Sequence, residues 1–375
     1  MEFIERNIAD REAMTGEARA GLSSILIRVT GWVEGVDPGR HRRIKGLRLV
    51  VAYGLAVALG AIPFVSHRLS HGALLSFLAG GFALWASVSE GKATRAESSR
   101  DLGILCAAAA LGAVTMIVFA PLLMGIDRPR PELTLALGAF LVGYMKRFGI
   151  LGAGVGSQIY IGQLLAYNAR LATSDLWMVA VAGLIAAFAS IVPRLFSDLA
   201  ERSVAAPTIG LATVSSGDNK TTELFMGFQA AVAAIVIVAL NDAIGLEESA
   251  WAITACTYVI SSSRTATMER VRRRIVGTAV GVPLGLACLP IALHAPVVVW
   301  VAAAVAMVIY SMALPERYDI ACAAYAFSLI VTMAATGESS LMVLSSRAWE
   351  TLIGGVVGLG AALLVVPLRT AGSRT

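Results

Sequence analysis

The stretch Met268-Glu-Arg-Val-Arg-Arg-Arg-Ile-Val-Gly-Thr-Ala-Val-Gly-Val-Pro-Leu-Gly285 sets Arg270, Arg272, Arg273 and Arg274 directly before an apolar run. In that run Gly277, Gly281 and Gly285 recur at every fourth position. Basic loops stay on the cytoplasmic side of a membrane, so the cluster marks which face this point occupies. Small residues four apart share one helix face and let a neighbouring backbone approach closely. The stretch predicts an inner-face anchor followed by a tightly packed transmembrane helix, with Pro283 as a site for a kink.

The whole chain suits that setting. Of 375 residues, 57% are hydrophobic and 15% charged, and mean hydropathy is +0.75. Soluble domains are nearer half apolar and a quarter charged. Apolar runs of about 20 residues recur, the length that crosses a hydrocarbon core of roughly 30 Å. An all-α polytopic membrane protein is expected. The net charge of +5 does not point to nucleic acid, because the basic residues sit in short loops beside apolar spans. Cys106, Cys256, Cys288 and Cys322 fall inside apolar runs, without zinc-ligand or redox spacing, and read as small buried hydrophobes. The acidic opening Met1–Arg6 has no apolar core after it, so no cleavable signal peptide is expected.

Residues 1–46 read as a cytoplasmic segment in which Leu22–Val33 is apolar enough to lie on a membrane surface. Six spans follow within 47–193, at about 47–66, 71–89, 103–124, 133–146, 149–168 and 176–193. A polar cytoplasmic linker at 194–221 leads to six more within 222–368, at about 222–244, 249–264, 275–293, 296–314, 318–335 and 347–368. The tail 369–375 is cytoplasmic in this scheme. Five Lys/Arg at 40–48 and five at 264–274 dominate one set of loops, whereas the other holds Arg68, Arg128, Arg130, Arg170 and Arg347. Both termini are therefore expected to face the cytoplasm.

The halves look like a repeat. Arg147-Phe148-Gly149-Ile150 resembles Arg317-Tyr318-Asp319-Ile320 at an offset of 170. Arg100 and Gly103 answer Arg274 and Gly277, and Ile191-Val192-Pro193 answers Val365-Val366-Pro367, both at 174. Six spans per half make the two repeats parallel, with a substrate path expected between them near the midplane.

Neither a hydrolytic constellation nor a nucleotide loop of the Gly-x-x-x-x-Gly-Lys-Ser/Thr kind is present, so no enzyme and no cofactor are expected. His67 and His71 are four apart, but they flank a short outer loop and read as solvated rather than metal-binding. Candidate substrate residues are the arginines at two inner helix mouths with their aromatic neighbours, Arg147 with Phe148 and Arg317 with Tyr318. They could draw in an anion, or serve only as positive-inside anchors. The fifth span is the most polar, with Ser157, Gln158, Tyr160, Gln163 and Tyr167, and Tyr325 is the counterpart in the eleventh. Polar groups at this depth face protein or a water path, as substrate contacts or as interhelical bonds. Glu90 and Arg264 hold equivalent positions and could pair as an inner gate, though each could simply face the cytoplasm. Asp319 is a salt-bridge partner for Arg317 or a proton site.

Trp251-Ala252-Ile253-Thr254-Ala255, the Arg270–Arg274 cluster and Arg274-Ile275-Val276-Gly277-Thr278-Ala279-Val280-Gly281 resemble the fusaric-acid-resistance and aromatic-acid-exporter (FUSC-like) family of bacterial inner-membrane proteins. That family has a tryptophan span, a basic cluster and an Arg-x-x-Gly-Thr-x-x-Gly helix entry. The resemblance spans about 47–368 and is densest at 250–290. It implies proton-driven efflux of aromatic or other hydrophobic carboxylates, with small organic anions and the bilayer as partners. It also brings in a periplasmic adaptor or a homo-oligomer. Long members resemble two six-span blocks separated by a sizeable cytosolic domain, whereas here the connection is only about 194–221. Plant anion channels of the aluminium-activated malate type share a similar six-span block, so an organic-anion channel is the alternative. A non-transporting membrane scaffold is a third.

Overall fold

Backbone amides and carbonyls find no water inside a bilayer, so an apolar chain must satisfy them within helices. The computed structural model describes residue 37 and residues 41–62, 72–91, 94–123, 130–201, 219–245, 249–314, 316–337 and 340–365. These are helix and turn throughout, with no strand among the described residues. The helices of the first half are α1 (His41–Gly60), α2 (Gly72–Ser89), α3 (Arg95–Leu123), α4 (Thr134–Tyr144), α5 (Gly149–Asn168) and α6 (Leu176–Glu201). Those of the second are α7 (Asn219–Ile244), α8 (Ser249–Val259), α9 (Arg264–Ala287), the short α10 (Leu289–His294), α11 (Pro296–Ala313), α12 (Tyr318–Ala335) and α13 (Leu341–Leu364). Local chemistry sets several ends. Ser263 caps α9 by accepting from the Ala266 amide, and Ser340 caps α13 by accepting from the Val343 amide. Gly337 stops α12 at φ +105°, a conformation that side chains resist.

Among the described residues, seven helical stretches are long and apolar enough to cross a membrane: Arg95–Leu123, Pro131–Asn168, Thr173–Ser197, Thr221–Ile244, Pro296–Ala313, Tyr318–Ala335 and Leu341–Leu364. This is a multi-pass membrane architecture. The expected twelve spans each have a helix near them, but length and composition alone support fewer. Helix α8 has 11 residues, about 16 Å at 1.5 Å per residue, against a core of roughly 30 Å. Helix α9 begins with its five basic residues inside the helix. Pro193, expected at a span's exit, lies inside α6, and Pro283 lies inside an α9 that runs unbroken to Ala287. Leu22–Val33, His67, His71 and Pro367 lie outside the described residues.

Helix α3 packs on α5 and α6, and α9 packs on α12 and α13. The same correspondence holds for α4 on α5 with α11 on α12, α2 on α6 with α8 on α13, and α1 on α6 with α7 on α13. Across the halves, α4 packs on α7 and α1 on α11. The glycines of the opening stretch lie in one of these contacts. A side chain on Gly277 would meet the Asp319 carbonyl and Cys322, and one on Gly281 would meet the Ala323 carbonyl. The small-residue face of α9 therefore docks on the α12 backbone, as its spacing predicted. Helix α3 meets α5 in the same way, with Gly112 on the Ile159 carbonyl and Gly162 on the Ala109 carbonyl.

The α4–α7 seam is a continuous apolar core, in which Leu135, Ala139 and Val142 pack with Met226, Ala230 and Ile237. The α1–α11 seam is narrower. Gly46 sits close against Val308, and Arg42 pairs with Glu316.

The first-half helices are tied at one end by buried charge. Glu90 accepts from Arg48 Nη2 at 2.8 Å, pairs with Arg194 Nε at 3.3 Å and bonds to Ser98. Lys45 Nζ donates to the Glu90 carbonyl at 2.7 Å. One carboxylate thus links α1, the α2 end, α3 and α6. The Glu90–Arg264 gate considered from the sequence is not formed: Glu90 is taken by its own half, and Arg264 donates to the Leu363 carbonyl at 3.2 Å. Equivalent chain position did not bring the two together: Glu90 directly follows α2, whereas Arg264 opens α9.

Two stability outcomes follow, both read by thermal unfolding of the purified protein in detergent. Gly281→Val should cost about 1–3 kcal/mol by overpacking, whereas Gly54→Ala, with open space around it, should leave the midpoint unchanged. Glu90→Gln should cost about 3–5 kcal/mol, because it removes the carboxylate between buried guanidinium groups, while Arg264→Gln should unfold near the wild-type temperature.

Candidate functional site

A cavity of about 1590 Å³ lies between the halves, walled by α1, α2, α3 and α5 from the first and by α7, α8, α9, α11, α12 and α13 from the second. Helical periodicity explains which side chains reach it. On α9, Gly277, Gly281 and Gly285 face α12, and the adjacent row Arg270, Arg274, Thr278 and Val282 lines the cavity. On α12, Tyr318, Cys322, Tyr325, Leu329 and Thr332 form a stripe along the same cavity.

Aromatic rings gather at the middle of this wall. The Tyr325 ring lies 5.4 Å from Trp85, 6.0 Å from Tyr310 and 6.3 Å from Trp251, centroid to centroid. Trp85 also meets Tyr310 edge-on at 6.3 Å and 87°. Trp85 belongs to the first half and the others to the second, so the cluster bridges the two. Such edge and tilted contacts are the geometries that aromatic quadrupoles favour.

Two arginines border the cluster. Arg274 Nη1 donates to the Tyr318 hydroxyl at 3.3 Å, and its Nε is buried without a hydrogen-bond partner among the described residues. Arg347, expected in an outer loop, is instead on α13, only 7% exposed, with its guanidinium 4.3 Å above the Trp251 ring. This is a cation–π contact in a desolvated place.

At one end of the cavity Glu269 accepts from Arg273 Nε at 2.6 Å and from Arg272 Nε at 3.0 Å. Arg273 also donates to the Glu316 carbonyl at 3.0 Å, and Arg42 of the other half pairs with the Glu316 side chain. Hydrogen bonds and charge from Arg272 and Arg273 hold the Glu269 carboxyl below the usual carboxylate range. Arg42 does the same for Glu316. At the opposite end, Glu132 accepts from the Tyr167 hydroxyl at 3.0 Å, and Arg130 pairs with Asp242 across the α4–α7 seam.

The polar fifth span divides by face. Tyr160, Tyr167 and Ser157 line the cavity. Ser157 and Tyr160 bond across the halves, Ser157 to the Tyr258 hydroxyl at 2.6 Å and Tyr160 to Thr254 at 2.8 Å. Gln158 and Gln163 are wholly buried and donate to Ser89 and Thr115 at 3.1 Å each, so they tie α5 to α2 and α3. Tyr318 and Tyr325 line the cavity. Arg147 is not among the cavity-lining residues: it donates to the Tyr144 hydroxyl at 2.8 Å and lies over the Tyr144 and Phe148 rings. Phe148 is 61% exposed. Arg317 is exposed at the α11–α12 turn and pairs with Asp319 at 3.0 Å.

The sequence reading passed over Trp85, Tyr258, Tyr310, Arg274 and Arg347 as site residues. Tyr318 and Tyr325 stand seven apart, as do Trp251 and Tyr258, so each pair shares a helix face. That spacing was the available signal. Nothing in the chain order brings Trp85 to them.

No curated protein and no solved structure matches the chain. Residues 227–361 match the model of a family described as fusaric acid resistance protein-like. The resemblance read from the sequence therefore holds over the stretch from α7 to α13 that carries Trp251, Arg274, Tyr325 and Arg347, and this multi-pass membrane protein is transporter-like there.

Proposed function

We propose that the chain exports aromatic or other hydrophobic carboxylates across the bacterial inner membrane, driven by the proton gradient. The observation that carries this reading is the cavity between the halves, whose aromatic wall is bordered by Arg274 and Arg347. Apolar rings shelter a hydrophobic body, and a guanidinium pairs with a carboxylate in a fixed fork. The family match over residues 227–361 supports the same class of activity.

In this reading the chain is two parallel six-span repeats with both termini cytoplasmic. The corresponding packing pairs support the repeat, including the crossed seams α4–α7 and α1–α11. The Lys/Arg bias supports the orientation. Tyr160, Tyr167, Tyr318 and Tyr325 contact the transported acid in the cavity. Arg147, Phe148 and Arg317 lie outside it, and the two arginines act on the anion by attraction on the cytoplasmic side.

Cells expressing the chain and preloaded with labelled hydroxybenzoate should lose it faster than control cells, and an uncoupler should abolish the difference. Tyr325→Ala should slow efflux by about 2- to 10-fold, the worth of one or two ring contacts. Equal efflux with and without the protein would reject the reading. Unitary conductance in planar bilayers with no proton dependence would move it to an anion channel.

A further inference from the structure

The transport reading leaves open where in the cavity the charge of the acid is held. Arg274 is set apart from the other arginines there. Arg273 is neutralised by Glu269, and Arg170 and Arg270 are exposed. Arg347 rests on the Trp251 ring. Arg274 forms no ion pair with a described residue; its one hydrogen bond goes to a neutral phenol, and its Nε is buried and unpartnered. The Arg274 side chain is half-buried, with its Nε sealed from solvent; a guanidinium keeps its proton, so taking part of one out of water without a counter-ion is costly. A carboxylate supplied by a ligand would answer both the missing charge and the unpartnered Nε.

The distance to the rings is set by α12. Tyr318 and Tyr325 are seven residues apart on one cavity-lining stripe, about 10 Å along the axis. That is roughly the span of a carboxylate seated at Arg274 whose attached ring reaches the Tyr325 level. There the ring would meet Tyr325 and the rings of Trp85 and Tyr310, which come from opposite halves.

We infer that Arg274 and the Tyr318 hydroxyl form the carboxylate-binding end of the substrate site, and that the Trp85, Tyr310 and Tyr325 cluster is the aromatic face against which a flat ring joined to that carboxylate packs. The assignment rests on the transport reading and specifies its site: one carboxylate, one guanidinium, and a ring packed where the two halves meet. Because Trp85 and Tyr310 are on different halves, an occupied site adds contacts across the boundary between them.

The test is equilibrium binding of three labelled probes to the purified full-length protein: benzoate, its neutral isostere benzamide, and the non-aromatic cyclohexanecarboxylate. Wild type should bind benzoate most tightly. Arg274→Gln should weaken benzoate by about tenfold or more and leave benzamide nearly unchanged, since only the charged probe loses a partner. Arg274→Lys should fall between, keeping the charge without the fork. Trp85→Leu should weaken benzoate more than cyclohexanecarboxylate. Arg272→Gln, exposed and paired to Glu269 on the same helix, should bind like wild type.

The assignment is overturned if Arg274→Gln binds benzoate as wild type does, or loses benzoate and benzamide equally, as misfolding would produce. It is also overturned if wild type binds no benzoate. Wild type that binds benzoate with this Arg274 dependence but moves none across proteoliposomes would uphold the site and reject the transport reading.

Discussion

The close docking of α9 on α12 is the contact on which the arrangement of the cavity depends. Between helices in lipid there is no hydrophobic drive, so close packing and interhelical hydrogen bonds must hold them. Glycines at 277 and 281 let the α9 backbone reach the α12 carbonyls of Asp319 and Ala323. That approach fixes the roll of α9. With its glycine row against α12, the adjacent row must turn to the cavity, and Arg274 is delivered to the Tyr318 hydroxyl. The basic cluster and the glycines that follow it are thus two faces of one device: one anchors the helix end, the other aims an arginine.

The two halves share a packing scheme but use different chemistry at one end. In the first, Glu90 binds α1, the α2 end and α6 through buried charge with Arg48 and Arg194, and α3 through Ser98. In the second, the corresponding turn is neutral: the Ser261 amide donates to Thr267 Oγ1 at 3.1 Å. Removing one member of a buried ionic group is expensive, which makes such a group a stiff joint. The first half also supplies the larger apolar core, around Phe82, Leu102, Leu105 and Ile117. The second half supplies most of the cavity's rings and both of its bordering arginines. The asymmetry fits a division between a firmer frame and a ligand-facing wall, joined by an apolar seam at α4–α7 and a narrower one at α1–α11.

Much of the fold was legible in residue order. Apolar runs located the helices but not all their ends, because the bilayer leaves an apolar chain no other way to satisfy its backbone, while polar flanks such as Arg264–Arg274 extend a helix beyond its apolar run. Glycine spacing foretold close packing, and the polar fifth span foretold bonds within protein. Spans were less legible than helices. Helix α8 is too short and α9 too charged at its start to be counted by length and composition, and Arg347 fell at an expected span boundary when it lies inside a helix. The expected site was legible in part. Tyr160, Tyr167, Tyr318 and Tyr325 line the cavity, while Gln158, Gln163, Arg147, Phe148 and Arg317 do not.

What residue order alone establishes here is the helical membrane class, the basic cluster before the glycine run and the small-residue faces. Each follows from one helix and its solvent, and needs no neighbour. Tertiary packing decides which polar groups meet. It gives Glu90 to Arg48 and Arg194 rather than to Arg264, seats Arg347 on Trp251, and carries Trp85 across the boundary to Tyr310 and Tyr325. Such partners are far apart in the chain, and helix periodicity sets only the face a side chain leaves from. The helix it meets is set by how all the others fill the space around it.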